Sequence, residues 1–449
     1  MQYLPMTEQD LKDMMAVVKI PSLEALFNVI PPEYRLNDLL DLPKSMSEQS
    51  LTRHMNHLAS LNHNSEAFIS FIGEISYRHY IPAIVKTLSS LPQFYTAYTP
   101  YQPEVSQGTL QAIYEFQSLM TNLTEMDLTN ASMYDGATST AEAMMMVCQH
   151  QRKNKVLISS LLHPSLYEVI KTYAEMRDIE LIPVTADEGS ISLRELERLA
   201  QDDIALLIIQ SPNVFGIIEE LEPVCTILKA KKIATVATVL EPLSLALIKT
   251  PGACGVDVTT GEAQSFGISP SFGGPGLGFF STRKEYIRKI PGRIVGKTTD
   301  DQQRTAYVMT LRAREQDIRR EKASSNICTN HALCALQATI YLSTLGEVGL
   351  KKLAQKNLIL SHKAFEALLG LPGIRAPYKK PFFNEFVIEI DQDLQKVNEV
   401  FKKHKILISR TDLSKAFPYL KNPLVLNFTE LNTEEDIDRL VIAFKEALL

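Results

Sequence analysis

Between residues 155 and 239 the chain alternates short, continuous apolar runs with amphipathic stretches of helical period, and few folds accept that pattern. KVLIS (155–159), IELIPV (179–184), IALLIIQ (204–210) and IATVATV (233–239) read as strands. Between them, PSLYEVIKTYAEMR (164–177), LRELERLAQD (193–202) and LEPVCTILKAKK (221–232) read as helices. A strand that is apolar at every position has no side for water, so both faces must be covered. The pattern predicts an α/β fold with a mostly parallel sheet between two layers of helix, completed by GVDVTT (255–260) and GLGFFST (276–282).

The flanks differ in character. Residues 1–60 read as short helices broken by Pro21, Pro31, Pro32 and Pro43, with Thr7 capping TEQDLKDMMAVV. That composition suits an arm more than a core. A helix is predicted over Thr109–Met126, where Ile113, Phe116, Met120 and Leu123 share a face. Another is predicted over Ser139–Gln149, with Ser139 and Glu142 as its capping box. Beyond about residue 326 come a long helix around His331–Thr344, the strands FNEFVIEI and PLVLNFTE, and a closing helix, EEDIDRLVIAFKEALL. The expected organisation is therefore a helical arm (1–60), a large α/β domain (61–325) and a smaller α+β domain (326–449).

With 449 residues, 45% of them hydrophobic, the chain can bury a large core. A formal charge of -6 and the lack of a basic block argue against a nucleic-acid partner. The apolar runs Ile204–Ile209 and Ile233–Leu240 are too short to span a bilayer, so no membrane partner is expected. The opening MQYLPMTEQD does not look like a secretory signal. Five scattered cysteines without a CxxC fit a reducing cytoplasm.

Most local motifs have ordinary explanations. GRIVGKTTD (292–300) encloses three residues where a P-loop needs four, and SFGGPGLGFF (271–280) leads into a strand where a dinucleotide turn leads into a helix. DGATSTAE (135–142) offers either a phosphate cradle or plain N-capping. The nine histidines form no metal set; His54 and His57 suit a solvated helix face. His163, in HPS, either stacks on an aromatic ring or caps the following helix. FYTAYTPYQPEVSQG (94–108) is the unusual segment: hydroxyls, amides and tyrosines broken by two prolines suit a ligand-facing loop. LRAREQDIRREKASSNICTN (311–330) mixes Arg312, Arg314, Arg319, Arg320 and Lys322 with acids. It reads as a solvated face or, through Arg319, Arg320 and Lys322, as a grip on a carboxylate or a partner.

Taken together, HYIPAIV, FYTAYTPYQPEVSQGTLQAIYEFQ, NASMYDGATSTAEAM, GVDVTTGEAQSFGISPSFGGPGLGFFSTR and LRAREQDIRREKASSNICTN resemble the glycine decarboxylase P-protein family from end to end. The resemblance implies a fold-type I pyridoxal-phosphate architecture with a seven-stranded sheet. It also implies decarboxylation of glycine, with transfer of the aminomethyl group to the lipoyl group of the H protein. Within the family the chain resembles the first of the two subunits into which some bacteria divide the P protein. The family's cofactor lysine falls at Gln264, and no lysine occurs between Lys249 and Lys284. An internal Schiff base needs a primary amine. Glu241 falls near the aspartate that would face the pyridine nitrogen, and Ser139 and His163 are further vestigial cofactor positions. The segment IGEISYRHY (72–80) has less glycine than relatives before its Tyr-His pair.

The resemblance thus implies that pyridoxal phosphate belongs to a second subunit, in a heterotetramer of two plus two. This chain would help to build that subunit's site through Tyr95, Tyr98, Thr99, Tyr101, Gln102 and Gln107. Two alternatives stand beside it: a self-sufficient pyridoxal-phosphate enzyme, such as an aminotransferase or desulfurase, and a non-catalytic scaffold or regulatory subunit.

Overall fold

A computed structural model describes residues 6–36, 38, 40–409 and 411–449. The chain divides into two compact units, Met1–His63 and Asn64–Leu449.

The first unit holds helices α1 (Glu8–Val18) and α2 (Glu48–Ser60) joined by 3-10 turns. Thr7 caps α1 through a reciprocal pair with Asp10, as its position suggests. None of the described residues 6–63 is buried, and Val17, Phe27, Val29, Leu36 and Leu42 are among its exposed large apolar side chains.

In the second unit the elements follow the predicted alternation: α3 (Gln107–Thr124), β1 (Leu128–Thr129), α4 (Gly136–Gln151), β2 (Lys155–Ser159), α5 (Pro164–Glu175), β3 (Glu180–Val184), α6 (Leu193–Leu199), β4 (Ile204–Gln210), α7 (Leu221–Ala230), β5 (Ala234–Val239), β6 (Val258–Glu262) and β7 (Gly278–Thr282). Strands β1 to β7 make one sheet of seven, in the order β1-β7-β6-β5-β4-β2-β3. Only β7 runs against the others. All residues of β4, β5 and β6 are buried, which is the two-sided cover their composition demands. Met144, Val156, Leu206 and Val236 belong to the core on one side of the sheet, and Leu157, Leu207, Val224 and Leu228 to that on the other.

Four differences from the sequence expectation are informative. The helix expected from Ser139 begins at Gly136, because the Asp135 carboxylate accepts the Thr138 N–H at 2.8 Å. Ser139 lies inside that helix and donates to the Phe279 carbonyl at 2.6 Å, so the Ser139–Glu142 capping box does not form. The strand expected at 255–260 starts at Val258, since Gly255 (φ 92°) ends a short helix first. GRIVGKTTD, dismissed as a failed P-loop, contributes β8 (Ile294–Thr299), which pairs with β9 (Thr305–Thr310) in an antiparallel hairpin. Finally, the helix expected to stop at Thr344 continues as α8 (Ala332–Leu369), with non-helical backbone only at Gly346 (φ 59°, ψ −176°). By length and composition α8 could cross a membrane. Here Ala335, Ala338, Tyr341 and Leu342 pack in a core with Phe266, Leu277 and Phe279.

Past α8 come β10 (Ile374–Arg375), β11 (Glu385–Ile390), α9 (Leu394–Lys403), β12 (Pro423–Asn427) and α10 (Glu434–Ala447). The antiparallel sheet β10-β11-β12 has its own core of Phe386, Ile388, Leu426, Phe401 and Phe444. The glycine-poor turn before Tyr77 still takes left-handed backbone, at Glu74 (φ 63°) and Ile75 (φ 82°).

Two glutamines fasten the β8–β9 hairpin to α3. Gln117 donates to Val295 O and accepts from Val295 N, both at 2.9 Å; Gln107 does the same with Tyr307, also at 2.9 Å. Each side-chain amide thus acts as one residue of a missing third strand. Gln117 and Val295 are buried, so losing this amide strands two backbone groups away from water. Gln117→Leu should cost about 1–3 kcal/mol of stability in urea unfolding. An unchanged midpoint would show that water reaches the Val295 peptide.

Candidate functional site

Strand β6 ends at Glu262, and the chain turns at once through Ala263, Gln264 and Ser265 under the start of α4. The side chain of Gln264, at the position of the family's lysine, is buried and fully engaged. Its Oε1 accepts from Tyr77 N at 2.9 Å, and its Nε2 donates to Tyr77 O at 3.1 Å and to Ile268 O. A flexible amine is replaced by an amide that clamps both backbone groups of one residue, Tyr77.

The Glu262 carboxylate occupies the space at the N-terminus of α4. Oε2 accepts from Gly136 N at 3.1 Å, while Oε1 accepts from Gln264 N at 3.1 Å and Leu277 N at 2.6 Å. Gly136 is needed for this approach: a Cβ there would lie 2.9 Å from the Glu262 nitrogen. The helix start is therefore an oxyanion-type acceptor site, as its backbone dipoles favour, and the chain's own carboxyl group occupies it. Burial pushes the Glu262 carboxyl up to about 7 despite these donors.

Glu241 follows β5 and is spoken for as well. Its Oε2 meets His79 Nε2 at 3.0 Å and accepts from Ser265 at 3.2 Å, and its Oε1 accepts from Leu243 N at 3.0 Å. His79 Nδ1 faces Glu430 Oε2 at 2.9 Å. Burial opposes the imidazolium, yet Glu241 and Glu430 together outweigh it and push the His79 pKa to about 10. Between Glu241, Tyr77 and Glu385 the remaining cavity is about 10 Å³, no more than a single water needs.

His163 caps α5: its Nδ1 accepts the Ser165 N–H at 3.2 Å, and burial pulls its pKa down to about 4. Of the two roles open to it in sequence, the structure shows the cap. Ser139 is spent on Phe279. The residues at the cofactor positions therefore do not fit pyridoxal phosphate: the amine is missing, and a carboxylate fills the anion site of the helix.

The open space lies elsewhere. A cavity of about 390 Å³ is lined by Tyr95, Tyr98 and Thr99 from the hydroxyl-rich loop, together with Pro275, Arg293, Thr329, Asn330 and His331. Tyr98 is 85% exposed, an unusual position for so large a side chain unless something covers it. Tyr101 lies below two guanidiniums, those of Arg312 at 5.3 Å and Arg293 at 5.8 Å. Gln102 is exposed and does not line this cavity, and Gln107 holds the hairpin. Three of the six expected loop residues thus meet in one wall, with Tyr101 beside it. Sequence reasoning missed Arg293, Asn330 and His331. Asn330 and His331 are held in place by Ala131 O at 3.2 Å and Gly276 O at 2.7 Å. Of the basic run, Arg319, Arg320 and Lys322 are exposed, while Arg312 and Arg314 turn inward.

These buried groups make stability pH-dependent. His79 has a folded pKa of about 10 against an ordinary 6.5, so its contribution is complete below 6.5 and lost as pH rises through about 10. Glu262 and Glu385, raised by burial to about 7 and about 8, also hold protons that the unfolded chain would release, so they too weaken the fold as pH rises from 4.5. Thermal melts should show a falling midpoint between pH 4.5 and about 10, and His79→Gln should flatten the part above about 8. A midpoint that climbs over this range would refute the assignment. A second expectation concerns the missing amine: the Gln264→Lys chain, treated with pyridoxal phosphate and borohydride, should yield no stoichiometric pyridoxyl-lysine peptide. Labelling of that lysine would show that Glu262 yields the helix start to a phosphate.

Comparison with known proteins places the fold in a family. The chain is 46% identical over 446 residues to a probable glycine dehydrogenase (decarboxylating) subunit 1 of Desulfitobacterium hafniense, covering 99% of this chain and all of that one. It is 43% identical over 440 residues to the protein of the same description from Geobacillus kaustophilus, covering 98% of each. A crystal structure of glycine decarboxylase (P-protein) of the glycine cleavage system, in inhibitor-bound form, superimposes with a TM-score of 0.91 at 37% identity, covering both chains fully. A NifS-like protein shares the fold alone, with a TM-score of 0.65 at 16% identity over 85% of this chain and 99% of that one. The family model described as glycine cleavage system P-protein matches residues 1–444, and the chain belongs to that family.

Proposed function

We propose that this chain is subunit 1 of a two-subunit glycine dehydrogenase (decarboxylating), active only in complex with a second, pyridoxal-phosphate-carrying subunit. The observation that carries the reading is Gln264: a P-protein chain whose lysine position is an amide clamped on Tyr77 must take its chemistry from another chain. Relatives described as subunit 1 support the same division. When bound to the second subunit, pyridoxal phosphate supplies the electron sink for loss of carbon dioxide from glycine. The aminomethyl group left behind passes to the lipoyl group of the H protein.

This chain's part is to complete the walls of that site. Tyr95, Tyr98 and Thr99 stand along a cavity open to the outside, so a partner placed over it gains phenol and hydroxyl donors without contributing them. Excluding water from such a space strengthens every polar contact in it. The first unit suits an arm that embraces a partner: none of its described residues is buried, and Val17, Phe27, Val29, Leu36 and Leu42 are exposed. A heterotetramer of two plus two in a reducing cytoplasm fits this account and the five free thiols. A purely scaffolding or regulatory subunit would have no use for a polar, cavity-lining tyrosine loop.

Glycine-dependent release of carbon dioxide in the presence of H protein tests the reading. Activity should require both subunits. Release by this chain alone would overturn it. Tyr98→Ala should leave the complex assembled and lower its rate by roughly tenfold, the equivalent of about 1.4 kcal/mol in the barrier. Unchanged kinetics would remove the loop from the site.

A further inference from the structure

Arg293 opens the β8–β9 hairpin and lines the 390 Å³ cavity, yet is only 6% exposed. Its hydrogen-bond partners among the described residues are neutral: Cys328 O at 3.0 Å, Thr329 Oγ1 at 3.4 Å and Asn330 Oδ1 at 3.5 Å. The last two lie at the weak end of the range, so Nη1 is loosely held. A buried guanidinium with neutral partners is costly unless a counter-charge arrives.

The surrounding charges do not provide it. Asp317 is taken by Arg312 at 2.5 Å. Burial raises the Glu315 carboxyl, with Arg314, Arg293 and Arg312 all pulling against that rise. Arg314 spends Nη1 on Ile290 O, and its Nε and Nη2 have no hydrogen-bond partner among the described residues. Among the described residues, Arg293, Arg312 and Arg314 thus share two carboxylates, Asp317 and Glu315, and Arg293 forms no salt bridge with either. The cavity walls include apolar Phe94, Ile113 and Pro275, which raise the strength of any ionic contact inside.

We propose that Arg293 is the oxyanion receptor of this cavity in the assembled enzyme. Its planar fork takes a small carboxylate or phosphate group in paired hydrogen bonds. This rests on the functional reading above, which supplies two sources of that chemistry: the carboxylate of glycine and the phosphate of the cofactor held by the second subunit. Arg293 is then a binding and positioning residue that this chain provides across the interface.

The test uses the two-subunit complex with H protein, carrying wild-type, Arg293→Gln or Arg293→Lys first subunit. Saturation curves are measured for glycine and, after cofactor removal, for pyridoxal phosphate. If the oxyanion is the substrate carboxylate, Arg293→Gln raises KM for glycine by roughly tenfold or more, as expected for loss of a charge-assisted pair, while kcat changes less. A phosphate instead shifts the pyridoxal phosphate curve by a similar factor and leaves glycine alone. Arg293→Lys, which keeps the charge and loses the fork, falls between wild type and Arg293→Gln. Should Arg293→Gln fail to assemble, acetate and inorganic phosphate are compared as inhibitors of the wild-type and Arg293→Lys complexes. Inhibition by one of them should then weaken several-fold in the lysine variant. An assembled Arg293→Gln complex with both curves unchanged, or anion inhibition identical in the two complexes, overturns the proposal. Failure of the wild-type complex to decarboxylate glycine would strike the functional reading instead.

Discussion

The Glu262 carboxylate gathers three backbone N–H groups, from Gly136, Gln264 and Leu277, and much of the site's arrangement follows from that contact. It joins the end of β6 to the start of α4 and to the loop entering β7. In doing so it supplies, from within the chain, the acceptor oxygens that the free N–H groups of a helix start call for. The turn it fixes points Gln264 at Tyr77, and Tyr77 lies against Glu385 and the His79–Glu241–Glu430 cluster. A cofactor phosphate would have to displace this carboxyl group and break its three hydrogen bonds. The fold of a pyridoxal-phosphate enzyme is thus kept while its central cleft is closed by the protein's own polar groups.

Closing one cleft leaves the outer wall free for another use. The tyrosine loop, the hairpin and the inward-turning arginines meet at the edge of the large sheet, each held by a different device. Gln107 and Gln117 tie the hairpin to α3, Arg293 reaches back to 328–330, and His331 is fixed on Gly276 O. These are contacts between segments far apart in sequence. They place cation, phenol and amide groups along one opening. That division suits a subunit that contributes surface to a site and not a reacting amine.

How much of this was legible in the sequence depends on the range of the interaction involved. The strands at 155–159 and 204–210 lie where periodicity puts them, because burial on both faces is written into consecutive residues. The resemblance of GEAQSF and its neighbours to the family pointed to Gln264 directly. The tyrosine loop was legible by composition, since few cores accept that density of hydroxyls. Ser139 misled because a hydroxyl followed by an acid three residues on is a cap only if the helix begins there; Asp135 captured Thr138 first. The β8–β9 hairpin was invisible for a related reason: only Ile294 and Val295 of its strands are buried, its alternation is weak, and glutamines on another helix complete its hydrogen bonding.

The sequence by itself determined the layered fold, the family, and the absence of a lysine where the cofactor chemistry needs one, since each is carried by residue type and local order. Tertiary structure alone decided what fills the empty place. A carboxylate two residues upstream of Gln264 could have faced solvent, but the crossing of β6 beneath α4 aims it at the helix start. Likewise Arg293 reads as one more surface cation until the hairpin buries it beside a cavity with neutral partners. The charge of a side chain is fixed by its chemistry; what that charge is for is fixed by the groups brought within about 3 Å of it, the range over which hydrogen bonding acts.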